Sequence, residues 1–281
     1  MTTTRTVLIS GTSTGIGAQT AVAAAATGWR VIATMRDTRR SANLRAAAEG
    51  AGVQDLIDIR PMDVVDPSSV ESCVSGVIDD FKMLDAVINN AGSGHVGTLE
   101  LESIEDVRSV MEVNFFGVLN VTRAALPHLR ASGGRVISVT SVGGVIGQPF
   151  NEAYCAAKFA VEGFMESLAP VAAAVGVTVC VVEPGAVASE FVANVGLDAE
   201  RSTAEAGPYA GALASYLRRT AGAFAAAQSP ADVADVIVSA LNAAMPAFRL
   251  QTSDGVRAFV GAKIADLDGS RIVGTTSQWL D

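Results

Sequence analysis

Seven short apolar runs recur along the chain with longer, helix-patterned stretches between them, and this alternation restricts the fold more than any other feature. The runs cover 6–9, 31–34, 56–59, 86–88, 135–139, 177–182 and 248–252, and helical patterns lie at 16–27, 38–49, 67–82, 103–131, 151–175 and 230–244. Strands without polar alternation are buried on both faces, as in a parallel sheet. Regular strand–helix alternation therefore predicts an α/β fold: a doubly wound parallel sheet in three α/β/α layers, with its ligand crevice at the carboxyl ends of the strands. At 281 residues, 49% of them hydrophobic, the chain is expected to form a single domain over 1–281. The rhythm breaks at 186–228, an Ala- and Gly-rich stretch read as an insertion over the site. A C-terminal extension at 253–281 carries a short amphipathic pattern (Val256, Phe259, Val260, Ile264, Leu267) expected to pack on the domain.

The net charge of −9 opposes attraction to nucleic acid or anionic membranes. No signal-peptide pattern precedes Val7, and the longest apolar stretch, 168–182, is interrupted by Pro170, Gly176 and Thr178. No membrane span is expected, and the location expected is cytoplasmic. Cys73, Cys155 and Cys180 have no redox or metal spacing and are expected as reduced, buried thiols. His95 and His128, the only histidines, belong to no ligand cluster, so each is read as a surface or loop residue and no metal site is expected.

The first strand runs directly into Ser10-Gly11-Thr12-Ser13-Thr14-Gly15-Ile16-Gly17, which opens a helix. Gly11 permits a tight turn, Gly15 lets backbone approach a diphosphate, and Gly17 lets helix and strand pack closely, while the helix N-terminus offers amides to the anion. A glycine cluster is weak alone, but the strand before it and the helix after it make this a Rossmann-type dinucleotide site, and the Lys of an ATP-binding loop is missing. Farther on, Tyr154-Cys155-Ala156-Ala157-Lys158 sets a phenol and an ammonium on one helical face. A Lys cation favours the phenolate of a group that otherwise titrates near 10. With three Tyr and three Lys in the chain, chance would supply this spacing about 3% of the time.

The spacing Gly-x-x-x-Gly-x-Gly, the Asn89-Asn90-Ala91-Gly92 segment, Tyr154-x-x-x-Lys158 and Pro184-Gly185 together resemble the short-chain dehydrogenase/reductase family over about 5–245. The resemblance implies a carbonyl/alcohol oxidoreductase whose catalytic set is Asn114, Ser141, Tyr154 and Lys158. Tyr154 is then the acid/base, Ser141 orients the substrate oxygen, Lys158 binds ribose and lowers the tyrosine pKa, and Asn114 positions a water beside the lysine. It further implies a cofactor held by Gly11, Ser13, Thr14, Gly15, Ile16 and Gly17, by Asp63 and Val64 at the adenine, by Asn89, Ala91 and Gly92 on the adenosine side, and by Tyr154, Lys158, Pro184, Gly185, Val187 and Ser189 toward the nicotinamide. NAD users end the second strand with Asp or Glu. This chain has Met35 followed by Arg36, and a guanidinium grips a phosphate, so NADP is expected; the competing reading is a surface pair between Arg36 and Asp37.

The segments 33–37, 141–151 and 154–163 are similar to the branch of 17β-hydroxysteroid dehydrogenase type 1 and the photoreceptor-type retinol dehydrogenases. That likeness implies a small apolar steroid-, retinoid- or ketone-like substrate and a homodimer or homotetramer built on the helices at 103–131 and 151–175. No histidine follows His128, so the histidine used by the steroid enzyme after its sixth strand has no counterpart. Phe191, Val192, Val195, Leu197, Tyr209, Leu213, Tyr216, Leu217 and Phe224 in the insertion serve either as a substrate lid or as packing. An epimerase or dehydratase on the same scaffold and a non-enzymatic NADP-sensing regulator are the alternatives.

Overall fold

The structure, a computed structural model, describes residues 4–189, 198–225 and 227–281. Its seven strands are β1 (Thr6–Ser10), β2 (Arg30–Met35), β3 (Ile57–Pro61), β4 (Ala86–Asn89), β5 (Arg135–Val139), β6 (Thr178–Glu183) and β7 (Arg249–Gln251). They form one sheet in the order β3-β2-β1-β4-β5-β6-β7, every pair parallel. The chain reverses its direction of travel across the sheet between β1 and β4, so the crevice of a doubly wound fold opens beyond their carboxyl ends. Leu8 lies opposite Ile32 on one side and Val87 on the other, and side chains alternate between faces from there.

The helices are α1 (Gly15–Ala26), α2 (Ala42–Gly50), α3 (Pro67–Phe81), α4 (Ile104–Met111), α5 (Gly117–Ser132), α6 (Glu152–Ala173), α7 (Ala199–Glu205), α8 (Ala210–Ala225), α9 (Pro230–Asn242), α10 (Asp254–Ile264) and α11 (Ser270–Ser277). Val7, Ile9, Val31, Ala33, Ile88, Ile137 and Val182 pack with α1 and α9 on one face of the sheet. Leu8, Ile32, Val87, Val136, Val179 and Val181 pack with α3, α5 and α6 on the other. Four alanines of α1 (Ala18, Ala21, Ala24, Ala25) are buried, and their small side chains bring the helix close to the sheet.

Two sequence expectations are corrected. The helix expected at 103–131 is α4 and α5 joined through a π-helical turn, Glu112–Phe116. A π turn inserts a residue without changing the apolar pattern enough to betray it. The 186–228 connection contains α7 and α8. In the tail, Val256 and Val260 are buried, but Ile264 is 63% and Leu267 99% exposed; α10 ends at Ile264, so the helical periodicity that would bring Leu267 inward stops. Cys73, Cys155 and Cys180 are buried free thiols.

Candidate active site

From Ser10 the backbone turns sharply into α1. Gly11 has φ +71°, and a Cβ there would stand 2.7 Å from Ala91 Cα; one on Gly17 would stand 2.2 Å from the Gly11 carbonyl oxygen. Neither position has room for a side chain. The turn is pinned by Asn90, whose amide donates to the carbonyls of Ser10 and Gly11 at 3.0 Å each. Ser10 Oγ in turn accepts from the backbone of Asn90 and Ala91 at 3.0 Å each. Gly15 also has positive φ, and Ser189 covers it at 3.2 Å from its ideal Cβ. Thr14 does not cap α1 with its side chain and no acidic residue occupies the first turn, so the positive end of the helix dipole faces the loop uncompensated. A cleft of about 640 Å³ borders this loop at Thr14, Gly15, Gln19, Asn43 and Ser189. A glycine cradle, an uncompensated helix N-terminus and an adjoining cleft fit a dinucleotide diphosphate. Ser13 lies within the loop, and Ile16 packs from α1 onto the sheet core.

At the end of β2, Arg36 is exposed and makes no side-chain hydrogen bond or ion pair among the described residues. Asp37 is taken by Arg39 instead, Nε to Oδ1 2.9 Å, and this partner holds its carboxyl below the usual range. The competing Arg36–Asp37 pair is therefore not formed. Beyond β3, Asp63 Oδ1 accepts from the Val65 amide at 3.2 Å, and the Val64 carbonyl is held by Asn120 at 2.9 Å. Asn89 turns its side chain into the core, donating to Thr122 and Ser138 at 2.9 and 3.1 Å, so that side chain braces the sheet.

The catalytic candidates converge past β4 and β5. Tyr154 is buried on the first turns of α6, with the Ser141 hydroxyl close enough to its phenol to favour the phenolate. Ser141 Oγ also accepts from the Gly143 amide at 3.0 Å, and Gly143 sits against the Tyr154 ring. Lys158 is 4% exposed; its Nζ donates to the Val139 carbonyl at 3.1 Å and stands 5.9 Å from the tyrosine ring centre. Asn114 is in the π turn with no exposure. Its amide donates to the carbonyls of Ser93 and Val110 at 3.0 and 3.1 Å, and its Oδ1 accepts from the Ser93 amide at 3.2 Å. A Cβ on Gly92 would meet both Asn114 Oδ1, at 2.9 Å, and Lys158 Nζ, at 3.6 Å, so the bare glycine is where these two side chains come together.

The electrostatics differ from the sequence expectation. Burial pushes the Tyr154 phenol up to about 12, with the nearby Ser141 hydroxyl opposing, and pushes Lys158 down to about 8, with Glu162 opposing. In the chain by itself desolvation outweighs any pull of the ammonium on the phenol. Tyr154 is thus a protonated acid at neutral pH.

Beyond β6, the Pro184 carbonyl accepts from the Val142 amide at 2.7 Å and Gly185 abuts Val256 of α10. Ala188 N donates to Gln228 O at 2.9 Å and Gln228 N to Ala186 O at 3.0 Å; this parallel bridge turns the amide of Val187 away from Gln228. Phe150, Leu213 and Tyr216 form a buried cluster with Tyr209, Leu217, Trp279 and Leu280, so the insertion's members of it serve as packing. Phe224 lines the cleft beside the glycine loop, while Phe191, Val192, Val195 and Leu197 lie outside the described residues. His95 is a loop residue, half-buried against Glu102 with Nε2 2.5 Å from Oε1.

Several site-building residues escaped the sequence reading. Asn90 was passed over beside Asn89 although both stand in the same motif. Gln228 and Thr252, which exchange side-chain and backbone hydrogen bonds at 2.6 Å, fasten the insertion to the end of β7, but nothing local marks them. The same holds for Glu162 and Arg249, 87 residues apart.

Comparison with known proteins identifies the family. The short chain dehydrogenase family model matches residues 5–200. Retinol dehydrogenase 8 of Bos taurus is 37% identical, over 97% of this chain and 89% of its own. The 17-beta-hydroxysteroid dehydrogenase type 1 of Homo sapiens is 35% identical, over 95% and 83%. The crystal structure of a short-chain dehydrogenase from Streptomyces avermitilis superposes with a TM-score of 0.77 at 28% identity, covering 98% of each chain. A family model that matches more than half of the chain and relatives 37% and 35% identical over nearly all of it show the same thing: the chain belongs to the short-chain dehydrogenase family of oxidoreductases.

Proposed function

We propose that the protein is an NADP(H)-dependent dehydrogenase/reductase, a single catalytic domain that interconverts a carbonyl and an alcohol on a small apolar substrate. The observation that carries the reading is the buried Tyr154 phenol, with Ser141 beside it and the buried Lys158 one helical turn away. The diphosphate would be held by Gly11, Ser13, Thr14, Gly15, Ile16 and Gly17, and the 2′-phosphate by Arg36. Asp63 and Val64 would meet the adenine, and Asn89, Ala91 and Gly92 the adenosine side, Asn89 as a brace. Pro184, Gly185, Val187 and Ser189 would face the nicotinamide. When bound, the nicotinamide supplies or takes up the hydride equivalent.

The protein's own groups handle the oxygen and its proton. In reduction Tyr154 Oη donates its proton to the developing alkoxide while Ser141 Oγ donates a hydrogen bond to the same oxygen, and in oxidation the phenolate takes that proton back. The ammonium of Lys158 stabilises the phenolate that forms. Asn114, with its side chain committed to Ser93 and Val110, holds the loop after β4 against the π turn and so keeps Gly92 beside Lys158.

Two further features fit the reading. The names of the two relatives, a retinol dehydrogenase and a 17-beta-hydroxysteroid dehydrogenase, favour a steroid-, retinoid- or ketone-like molecule. Phe116, Phe159 and Phe164 are 40–43% exposed beside or on α5 and α6, which favours a homo-oligomer formed through those helices. No helix among the described residues is long and apolar enough to cross a membrane; a cytoplasmic location is part of the proposal. The test is NADPH oxidation, with NADH in parallel, on steroid ketones, retinal-like aldehydes and aryl and alkyl ketones. Turnover with NADPH preferred is the expected result; tight NADPH binding with no turnover on the whole panel would favour a cofactor-sensing regulator.

A further inference from the structure

Behind the catalytic face lies a buried group of charges that the mechanism above does not use. Glu162 follows Lys158 by one turn of α6 and is 4% exposed. Its Oε1 accepts from Thr140 Oγ1 at 2.6 Å, and its Oε2 from Arg249 Nε at 3.2 Å. The same guanidinium reaches Glu183 Oε1 at 3.4 Å and Glu166 Oε2 at 2.8 Å. Glu183, fully buried, receives a further bond from Gln251 at 2.9 Å. One arginine therefore serves three carboxylates, two of them buried. The charged groups facing Glu162 are Lys158 and Glu166 from α6, Glu183 from β6 and Arg249 from β7; the residue just after β5 there is the neutral Thr140.

The placement connects this group to catalysis. Thr140 stands between Val139, whose carbonyl accepts from Lys158, and Ser141, which flanks Gly143 together with the Tyr154 ring. Its hydroxyl has a single proton and two acceptors in reach, Glu162 Oε1 and the Val182 carbonyl at 3.0 Å. An ionised Glu162 takes that proton bond; a protonated Glu162 donates to the hydroxyl, which then turns to Val182. We propose that Glu162 is a positioning residue that sets the charge of Lys158, holding the buried lysine as an ammonium while its own carboxyl, fixed by Thr140 and Arg249, is ionised. The proposal rests on the role given to Lys158 above. Burial and the neighbouring Glu183 push Glu162 up to about 7 while Thr140 and Arg249 oppose, so its charge changes near neutrality, where the state of Lys158 matters.

The chain has three lysines, Lys82, Lys158 and Lys263, so their side-chain carbons can be titrated one by one by NMR in protein labelled with ¹³C-lysine, with Lys82→Arg and Lys263→Arg giving the assignment. No substrate or cofactor is needed. One resonance, that of Lys158, is expected to titrate well below the other two. Glu162→Gln keeps the shape and removes the charge; it is expected to lower the Lys158 midpoint by about one pH unit, the scale of a single nearby opposite charge. Glu162→Asp, which keeps the charge, is expected to restore most of the shift. Glu166→Gln, which removes an exposed carboxylate on the same arginine, is expected to leave the midpoint in place. If Glu162→Gln does not fold, Thr140→Val, which deprives the carboxyl of its hydroxyl donor, is expected to move the same midpoint downward. A Lys158 midpoint unmoved by Glu162→Gln, or by Thr140→Val in its stead, overturns the proposal, as does an equal shift in Glu166→Gln. Turnover retained in Tyr154→Phe would overturn the catalytic reading and leave these titrations as they are, so the two failures are distinguishable.

Discussion

Arg39 is clamped onto Asp37 through two parallel bonds, Nε to Oδ1 at 2.9 Å and Nη2 to Oδ2 at 3.0 Å, and Arg36 is left with its guanidinium free of side-chain partners among the described residues. With Asp37 neutralised by its neighbour, the end of β2 presents a cation where NAD-specific members of this fold class present a carboxylate. A charge-assisted bond to phosphate contributes about 1.5–3 kcal/mol. Arg36→Ala is therefore expected to raise the Michaelis constant for NADPH by about 10- to 100-fold and to change that for NADH by less than about twofold. Equal losses with both cofactors would remove the basis for NADP preference.

Gly17 offers a separate test of the cofactor cradle. A methyl at this position would collide with backbone, the Gly11 carbonyl, rather than with a side chain able to swing aside. Gly17→Ala is expected to destabilise the fold by about 1–3 kcal/mol and to weaken dinucleotide binding more than tenfold, measured by thermal unfolding with and without NADPH. A variant that binds NADPH as the native chain does would mean that the diphosphate does not lie on this loop.

Glu162 and Lys158 leave opposite marks on stability. Glu162 titrates near 7 in the folded chain against an ordinary 4.5, so between those values the folded state keeps a proton that the unfolded state has released. Its contribution is complete below 4.5 and is lost as pH rises through 7. Lys158, near 8 rather than 10.5, contributes stability present above 10.5 and lost as pH falls through 8. Unfolding curves of Glu162→Gln and the native chain, compared from pH 4.5 to 7.5, are expected to diverge in favour of the variant as pH rises. Parallel curves would contradict the raised carboxyl.

What could be read from the sequence was what lies close together along it. The runs at 6–9 and 31–34 with the glycines between them, and Tyr154 with Lys158 four residues on, are local patterns whose geometry follows from strand and helix periodicity. The π turn at Asn114 was hidden because its apolar neighbours Phe115 and Phe116 suit an α-helix as well; the mid-helix asparagine followed by Gly117 was the only trace of it. Pairings such as Arg249 with Glu162 join residues brought together by the β6–β7 register, which no local pattern encodes. The raised Tyr154 was hidden for another reason: spacing shows which charge is near a phenol, whereas the outcome depends on how much water the fold removes from both.

The central claim is that Tyr154 moves the proton, and it is tested most directly by following NADPH oxidation by the native chain and by Tyr154→Phe on the best carbonyl substrate, with NADPH affinity measured for both. General acid catalysis contributes about 10²–10⁴. The expected result is a fall in kcat of at least that size with NADPH affinity changed by less than about threefold. A phenylalanine variant that turns over within tenfold of the native chain would contradict the account.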